Sequence, residues 1–320
     1  MLRKIALASL AALVSVGLTL SAASTAVRPD DVIYRYPAGF TKLMVADLAK
    51  LLSDPVLSEG VLGPLQAARH PLNGIRQVIQ DTLRLPTALV QFVAHGTGPG
   101  LTGVSLLQGL PQAAAFGPLL GLQFAVGAPG SPFTNWELTA SNGLPLIRTG
   151  GVFGPVQIQW GYAFEASALW VGTEVAFGTP PNSQRLETTI AAVTAQAKGQ
   201  SAYFDELAIA AGVRGGDISF VRQTEPATDR PAVAGEQALG FSMRFVPGGA
   251  QVDFEVRFSS EGVAAFALAS LRDGTSPYLA QDLYQGTLLN ARQQGKELLF
   301  TVQSTLAGAV GLLLVALPNQ

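Results

Sequence analysis

The segment from Phe241 to Arg257 alternates apolar and polar residues on both sides of a glycine pair, and this pattern constrains the fold more than any other feature. A turn at Gly248-Gly249 would pair Phe245 with Val252, Met243 with Phe254, Phe241 with Val256 and Arg244 with Asp253. One face of this hairpin is apolar, and the other carries Ser242, Arg244, Gln251, Asp253, Glu255 and Arg257. Because a slip of one residue would mix the two faces, the pattern predicts an antiparallel hairpin in this register.

A second hairpin is predicted around Asn142-Gly143, a dipeptide typical of two-residue turns. Its strands cover 136–140 and 144–148, and strands at 156–164 and 168–177 extend the sheet. A helix opened by Asn182 or Ser183 follows, with an apolar stripe of Leu186, Ile190, Val193 and Ala197. The remaining elements of this part are a helix at 260–271, a strand at 298–302 and a helix at 304–317.

The N-terminal part reads as mostly helical. Residues 32–36 are predicted as a short strand, and Thr41 as the cap of a helix that ends at Ser53-Asp54-Pro55. The apolar positions of that helix are Leu43, Met44, Leu48, Leu51 and Leu52. Helices at 56–68 and 72–83 follow, while 90–94 fits either a buried strand or a helix end.

These elements predict an α+β fold, with a largely antiparallel sheet, helices packed on one face and repeated strand-strand-helix modules. The modules cover 168–197, 239–271 and 298–317. We expect a signal peptide at 1–26, a helix-rich part at 27–118 and a strand-rich part at 119–320; the alternative is that the last two form one continuous domain.

Residues 1–26 have the pattern of an export signal. Arg3 and Lys4 precede an uncharged apolar run from Ile5 to Leu20, and small residues lead to Ala26. A retained membrane anchor is the alternative, but the pattern favours cleavage. The expected location is therefore the periplasm or the exterior of a bacterial cell.

The composition excludes some classes of binding partner and some kinds of catalytic chemistry. Charged residues make up only 13% of the chain, and the net charge of −2 provides no basic surface for nucleic acid. The chain has no cysteine, which excludes disulfides, thiolate metal sites and thiol catalysis.

Two long segments carry no charge. The segment 85–136 is interrupted by prolines and glycines, so we expect a buried or partner-facing region and leave open whether it is core or binding surface. The segment 298–317 has the length of a membrane span, but Thr301, Gln303 and Ser304 weaken that interpretation. We do not expect the protein to span a membrane, and we leave open whether it associates with one or is anchored by 298–317.

Residues that commonly carry catalysis are scarce. His70 follows a helix and His95 precedes a glycine-rich turn, and neither lies in a recognisable hydrolase motif. The motif G-x-G-x-x-G occurs once, at Gly98 to Gly103, but no acidic residue follows at the distance that a dinucleotide site requires. No catalytic, cofactor-binding or metal-binding residue is assigned, and no cofactor is expected.

A pair of carboxylates and three tryptophans could each form either a binding site or ordinary structure. Asp253 and Glu255 share a strand face, and the nearby Arg244 and Arg257 predict a solvated, charge-paired surface in place of a glycosidase pair. Three tryptophans in or beside strands, Trp136, Trp160 and Trp170, are expected in the core, with a sugar- or lipid-binding surface as the alternative.

Several short sequence segments resemble those of an uncharacterised group of bacterial exported α+β proteins of unknown function. They are VGTEVAFGTPPNSQRLETTIAAVTA, SAYFDELA, DISFVRQ and the start RPDDVIYRYPAGF. The likeness extends over most of the mature chain and contains no catalytic motif, so it implies a fold and a location but no activity.

The sequence thus favours a non-enzymatic binding or assembly module of the cell envelope, whose partner is an apolar ligand or an envelope protein. A carrier or sensor of an apolar ligand or lipid is one alternative. A hydrolase of unrecognised type is the other.

Overall fold

The computed structural model describes residues 32, 35–37, 39–68, 70, 89–110, 112–195, 216–224, 233–279 and 286–316. Its centre is one 12-stranded antiparallel sheet with the strand order β11-β12-β10-β9-β8-β1-β2-β3-β7-β6-β5-β4. The strands are β1 Lys42–Asp47, β2 Phe92–Thr97, β3 Gly103–Gln108, β4 Phe133–Ser141, β5 Leu144–Phe153, β6 Val156–Phe164, β7 Ala168–Phe177, β8 Ile218–Gln223, β9 Glu236–Val246, β10 Gly249–Phe258, β11 Gly286–Gln294 and β12 Glu297–Thr305. Strands from both halves of the chain therefore share one sheet.

The described helices are short, and all except the last lie between strands in sequence. They are α1 Leu48–Ser53, α2 Pro55–Leu57, α3 Gly63–Ala67, α4 Gln112–Leu120, α5 Ser183–Ala195, α6 Glu261–Arg272 and α7 Leu306–Ala316. A π-turn at Ser58–Leu62 joins α2 to α3, and 3-10 turns lie at Gly121–Ala125 and Pro277–Leu279.

The α+β fold class with a largely antiparallel sheet is confirmed. The strand-strand-helix repeat is present as β6-β7-α5, β9-β10-α6 and β11-β12-α7. Most helices bury their apolar residues in the larger core on one sheet face, as Leu51, Leu119, Ala264 and Leu313 show. Most of the helical residues therefore pack on one face of the sheet, as expected.

The helix α5 packs on the opposite face. Its residues Leu186, Ile190 and Val193 belong to a second core. Gly161 on β6 and Gly172 on β7 make room for it, since a Cβ at Gly172 would lie 2.6 Å from Leu186 Cδ1. These two glycines allow the helix to approach the sheet backbone closely.

The helix predicted from Thr41 is wrong, because residues 42–47 form the central strand β1. Leu43 and Val45 enter the second core, while Met44 and Ala46 enter the first. A strand buried on both faces is a continuous apolar run, which period alone does not distinguish from a helix.

Other N-terminal predictions have mixed outcomes. The strand predicted at 32–36 is wrong, because Arg35 and Tyr36 lie in a turn. Helical structure at 56–68 is confirmed by α2, the π-turn and α3, and the segment 90–94 contributes to the strand β2. The helix predicted at 72–83, the signal peptide and Ala197 lie outside the described residues.

The hairpin of β9 and β10 is antiparallel as predicted, but its register differs. Pro247-Gly248 form the turn, so Val246 pairs with Gly249 and Phe254 pairs with Phe241. The fixed φ of proline and the φ of 83° at Gly248 match a type II turn. Arg244 consequently pairs with Gln251, and Asp253 with Ser242.

The hairpin around Asn142-Gly143 has the predicted position. Asn142 and Gly143 have φ values of 50° and 78°, the left-handed pair that a type I′ turn requires. The next helix starts as expected too, because Asn182 Oδ1 accepts a hydrogen bond of 2.9 Å from the Arg185 amide.

Candidate functional site

The sheet ends in an apolar surface where β5, β6 and β7 extend beyond the helices. In the row nearest the end, Val156 pairs with Phe153 on one side and Phe177 on the other. In the next row, Ile158 pairs with Gly151 and Val175. We call Phe153, Val156, Ile158, Trp160, Val175 and Phe177 the apolar tip.

The apolar tip continues a face that is core elsewhere. Two rows further along the same face, Ile147, Tyr162 and Val171 are buried in the larger core. At the tip, however, Phe153 is 45% and Phe177 73% exposed. The side chains of the tip are therefore as apolar as those of the core, although no helix of the described residues covers them.

The segments that build this end of the sheet carry no charge. Residues 121–136, 149–164 and 175–184 contain no Asp, Glu, Lys or Arg. Among them lies Phe124, on the 3-10 turn that contacts β4, with 86% of its surface exposed. Exposed aromatic residues and an absence of charge thus coincide at one end of the molecule.

Trp160 contacts one aromatic ring of the tip and one ring beside it. Its ring centroid lies 6.2 Å from that of Phe153 and 6.3 Å from that of Phe133. On the neighbouring edge strand, Trp136 donates a hydrogen bond of 3.3 Å from Nε1 to the Leu119 carbonyl. Trp136 and Trp160 are partly buried against the core, whereas Trp170 is fully buried.

The uncharged segment 85–136 divides between core and surface. Leu107 on β3 is fully buried, Leu120 at the end of α4 is half-buried, and Phe124 is exposed. Part of the segment is therefore core, and part of it lies at the surface.

The two histidines lie in the interior. His95 Nδ1 is 2.9 Å from Ser105 Oγ across β2 and β3, and His70 Nε2 is 3.2 Å from the Leu313 carbonyl. Burial lowers the pKa of each imidazole to about 4, so both are neutral near pH 7.

The pairing of His95 with Ser105 was not apparent from the sequence, because cross-strand register was needed to bring them together. In the described part of the chain, His95 Nε2 has no hydrogen-bond partner, and no carboxylate orients the ring. At 9% and 7% exposure, His95 and Ser105 lie in the sheet interior.

The glycine motif lies in a connection between two strands. Gly98 to Thr102 connect the antiparallel strands β2 and β3, and a strand follows where a dinucleotide site has a helix.

The solvated, charge-paired face predicted for Asp253 and Glu255 is wrong for Glu255, which is fully buried. Within the described ranges, no group of three or more His, Asp or Glu residues is placed to hold a metal ion.

No helix of the described residues is long and apolar enough to span a membrane. The C-terminal uncharged segment divides into the strand β12 and the helix α7. Residues such as Leu312 and Leu313 on α7 pack in the larger core.

No family model matches the chain, and no curated protein matches it in sequence. Two solved structures of TP0453, a bacterial protein from Treponema, are similar in backbone arrangement. Crystal form I has 8% sequence identity and a TM-score of 0.48, with 92% of this chain and 99% of that chain covered. Crystal form IV has 10% identity and a TM-score of 0.45, with coverages of 87% and 94%.

Proposed function

We propose that the protein is exported and acts in the cell envelope as a non-enzymatic binding module whose apolar tip inserts into a lipid surface. The observation that carries the proposal is the exposure of Phe153, Val175 and Phe177 at an end of the sheet built from uncharged segments. Side chains of this kind are stabilised when they leave water, by roughly 1.5–3 kcal/mol for a fully buried Phe or Val.

The absence of charge favours a lipid surface over a protein partner. Protein interfaces usually surround an apolar centre with a polar, often charged rim, and Arg is enriched in them. The tip is instead surrounded by Gly, Pro, Thr, Gln and Asn in 149–159 and 175–184. Trp160, beside these residues, is of a type enriched at the interfacial region of a bilayer.

Export is supported by the charged start, apolar run and small-residue exit of residues 1–26. Protein recovered from the envelope should begin at or near Val27 when its N-terminus is sequenced. Mature protein that still begins at Met1 would contradict cleavage and favour the retained anchor.

Vesicle flotation tests the lipid contact. The mature protein should float with phosphatidylcholine vesicles, and Phe177→Asn and Phe153→Asn should each weaken the partition by about tenfold, because each removes an inserted aromatic ring. Raising the salt concentration should leave the partition unchanged, since an uncharged tip has no ionic attraction to screen.

Phe266→Asn is the matched control. Phe266 lies on α6, away from the tip, and is 69% exposed, close to the value for Phe177. It should float like the wild type. The proposal fails if the wild-type protein does not float, or if all three variants lose partition equally.

Assembly through the edge strand β4 is the second candidate. Among the described strands β4 pairs only with β5, and most of its nine residues are exposed. An unpaired edge of this kind can accept a strand from another chain. Lipid-independent dimers in analytical ultracentrifugation that dissociate on Leu138→Lys would favour this candidate; a monomer would exclude it.

A further inference from the structure

A pocket of about 400 Å³ lies on the face of β10, β12 and β11 opposite the larger core, at the far end of the sheet from the apolar tip. The side chains of that face which line it are Asp253, Glu255, Asn290, Arg292, Leu299 and Thr301. Leu299 on β12 pairs with Glu255 on β10, and Thr301 pairs with Asp253 in the same way.

Glu255 is a buried carboxylate without a partner. It is 0% exposed, and neither of its carboxylate oxygens has a hydrogen-bond partner within the described part of the chain. Its cross-strand neighbours are Gly240 on β9 and Leu299 on β12, which offer no side-chain donor. Buried polar groups are hydrogen-bonded in the large majority of cases, so an orphaned carboxylate at a pocket requires an explanation.

The other charged groups in or beside the pocket are already engaged or lie at its rim. Asp253 accepts a hydrogen bond of 2.8 Å from the Thr301 hydroxyl. Arg257 forms an ion pair of 2.9 Å with Glu297, and Arg292 is exposed on the edge strand β11. Among the described charged groups that line the pocket, Glu255 is therefore the carboxylate whose oxygens have no hydrogen-bond partner.

Burial raises the pKa of Glu255 to about 7, and repulsion from Glu297 adds to the increase, while Arg257 and Arg292 oppose it. A carboxylate held in this way is poised to ionise when a cation arrives.

We propose that this pocket binds a small ligand through its primary ammonium group, which donates hydrogen bonds to Glu255 and Asp253. An ammonium group supplies the positive charge and the N–H donors that Glu255 lacks, and it adds a donor to the one that Asp253 receives from Thr301. Leu299 and the aliphatic part of Arg292 can pack against a short alkyl chain, and the volume suits a compact ligand. This site is independent of the apolar tip.

Calorimetric titration with three matched probes tests the chemistry. Butylammonium should bind, butyltrimethylammonium should bind at least about tenfold more weakly because it has no N–H donors, and butanol should not bind. The affinity for butylammonium should rise as the pH increases through about 7, where Glu255 ionises beside Asp253, Arg257, Arg292 and Glu297.

The variant Glu255→Gln keeps the shape and removes the charge, and it should lower the affinity for butylammonium by at least about tenfold. Glu261→Gln is the control, because Glu261 is exposed on α6 and does not line the pocket, and it should stay within about threefold. Circular dichroism and thermal melts should show both variants folded. The proposal is overturned if no probe binds, if butyltrimethylammonium binds as tightly as butylammonium, or if Glu255→Gln binds like the wild type.

Discussion

Burial of Glu255 lowers the free energy of unfolding at neutral pH. Its pKa rises from an ordinary 4.5 to about 7 on folding, so the native state holds the proton more tightly than the unfolded state. The native state therefore loses stability as the pH rises from 4.5 to 7, and the loss is complete above 7. Such a penalty is typical of residues retained for binding rather than for stability.

We therefore expect Glu255→Gln to be more stable than the wild type at about pH 8, by as much as about 3 kcal/mol, and equally stable near pH 4.5. Urea unfolding at the two pH values measures the difference. Glu261→Gln, an exposed carboxylate on α6, should show no such gain. Equal stabilities of Glu255→Gln and wild type at both pH values would contradict the raised pKa.

The buried histidines act in the opposite direction. Their pKa falls from 6.5 in the unfolded chain to about 4 in the native state, so the unfolded state takes up protons first. The stability they contribute is complete above pH 6.5 and is lost as the pH falls from 6.5 towards 4.

In the Glu255→Gln background, where the opposing carboxylate is absent, the free energy of unfolding should fall between pH 6.5 and 4.5 by a few kcal/mol. His70→Gln, whose amide can still donate to the Leu313 carbonyl, should remove about half of this pH dependence. A free energy that is flat with pH would show that the two imidazoles are accessible to protons in the native state.

At the scale of single elements, the two adjacent glycines of the β9–β10 hairpin have different physical roles. Gly248 has a φ of 83° and open space around it, so the turn conformation requires it. Gly249 lies within β10, where a Cβ would be 2.1 Å from the Ser304 carbonyl oxygen on β12. Backbone approach, rather than turn geometry, explains the second glycine.

Gly249→Ala should accordingly destabilise the protein by about 1–3 kcal/mol, because β10 and β12 must separate to admit the methyl group. Gly248→Asn should be milder, since asparagine tolerates the left-handed conformation. Thermal unfolding of the two variants provides the comparison, and a larger loss for Gly248→Asn would favour the register with both glycines in the turn.

The same hairpin shows what the sequence could predict. Alternation determined which side chains share a face, and Phe254 is buried as that pattern implies. It did not distinguish registers that differ by two residues, because such a shift leaves every side chain on its own face. The type II turn at Pro247-Gly248 is also less common in hairpins than the glycine-pair turn that the sequence favoured.

The β1 strand and Glu255 show the second limit, which is the dependence on neighbours that are distant in sequence. Residues 43–46 are apolar without a break because helices cover one face of the central strand and the second core covers the other. The sequence predicts a solvated Glu255 because Arg257 lies two residues away on the same strand face, but that arginine pairs with Glu297, 40 residues further along the chain. Both errors concern which residues the sheet order brings together.

At the scale of the whole molecule, the sheet has two contrasting ends. The β11-β12-β10 end carries a polar pocket around Glu255, and the β5-β6-β7 end carries the apolar tip. The tip was only partly foreseeable: the uncharged segment 85–136 indicated an unusual region, but most of the tip comes from strands of hairpins at 149–164 and 175–177. Their exposure depends on where the helices end, which local patterns do not encode.

The uncharged segment itself supplies a test that separates core from surface. Leu107 is fully buried on β3, so Leu107→Asp should prevent folding, because an unpaired carboxylate would enter the core. Phe124→Asp should keep the native melting temperature, since the ring is 86% exposed, yet it should lower vesicle partition by at least about tenfold because a charge would enter the lipid contact. Circular dichroism melts and flotation measure the two effects separately. A Phe124→Asp protein that is folded and still floats like the wild type would exclude the 3-10 turn from the lipid contact.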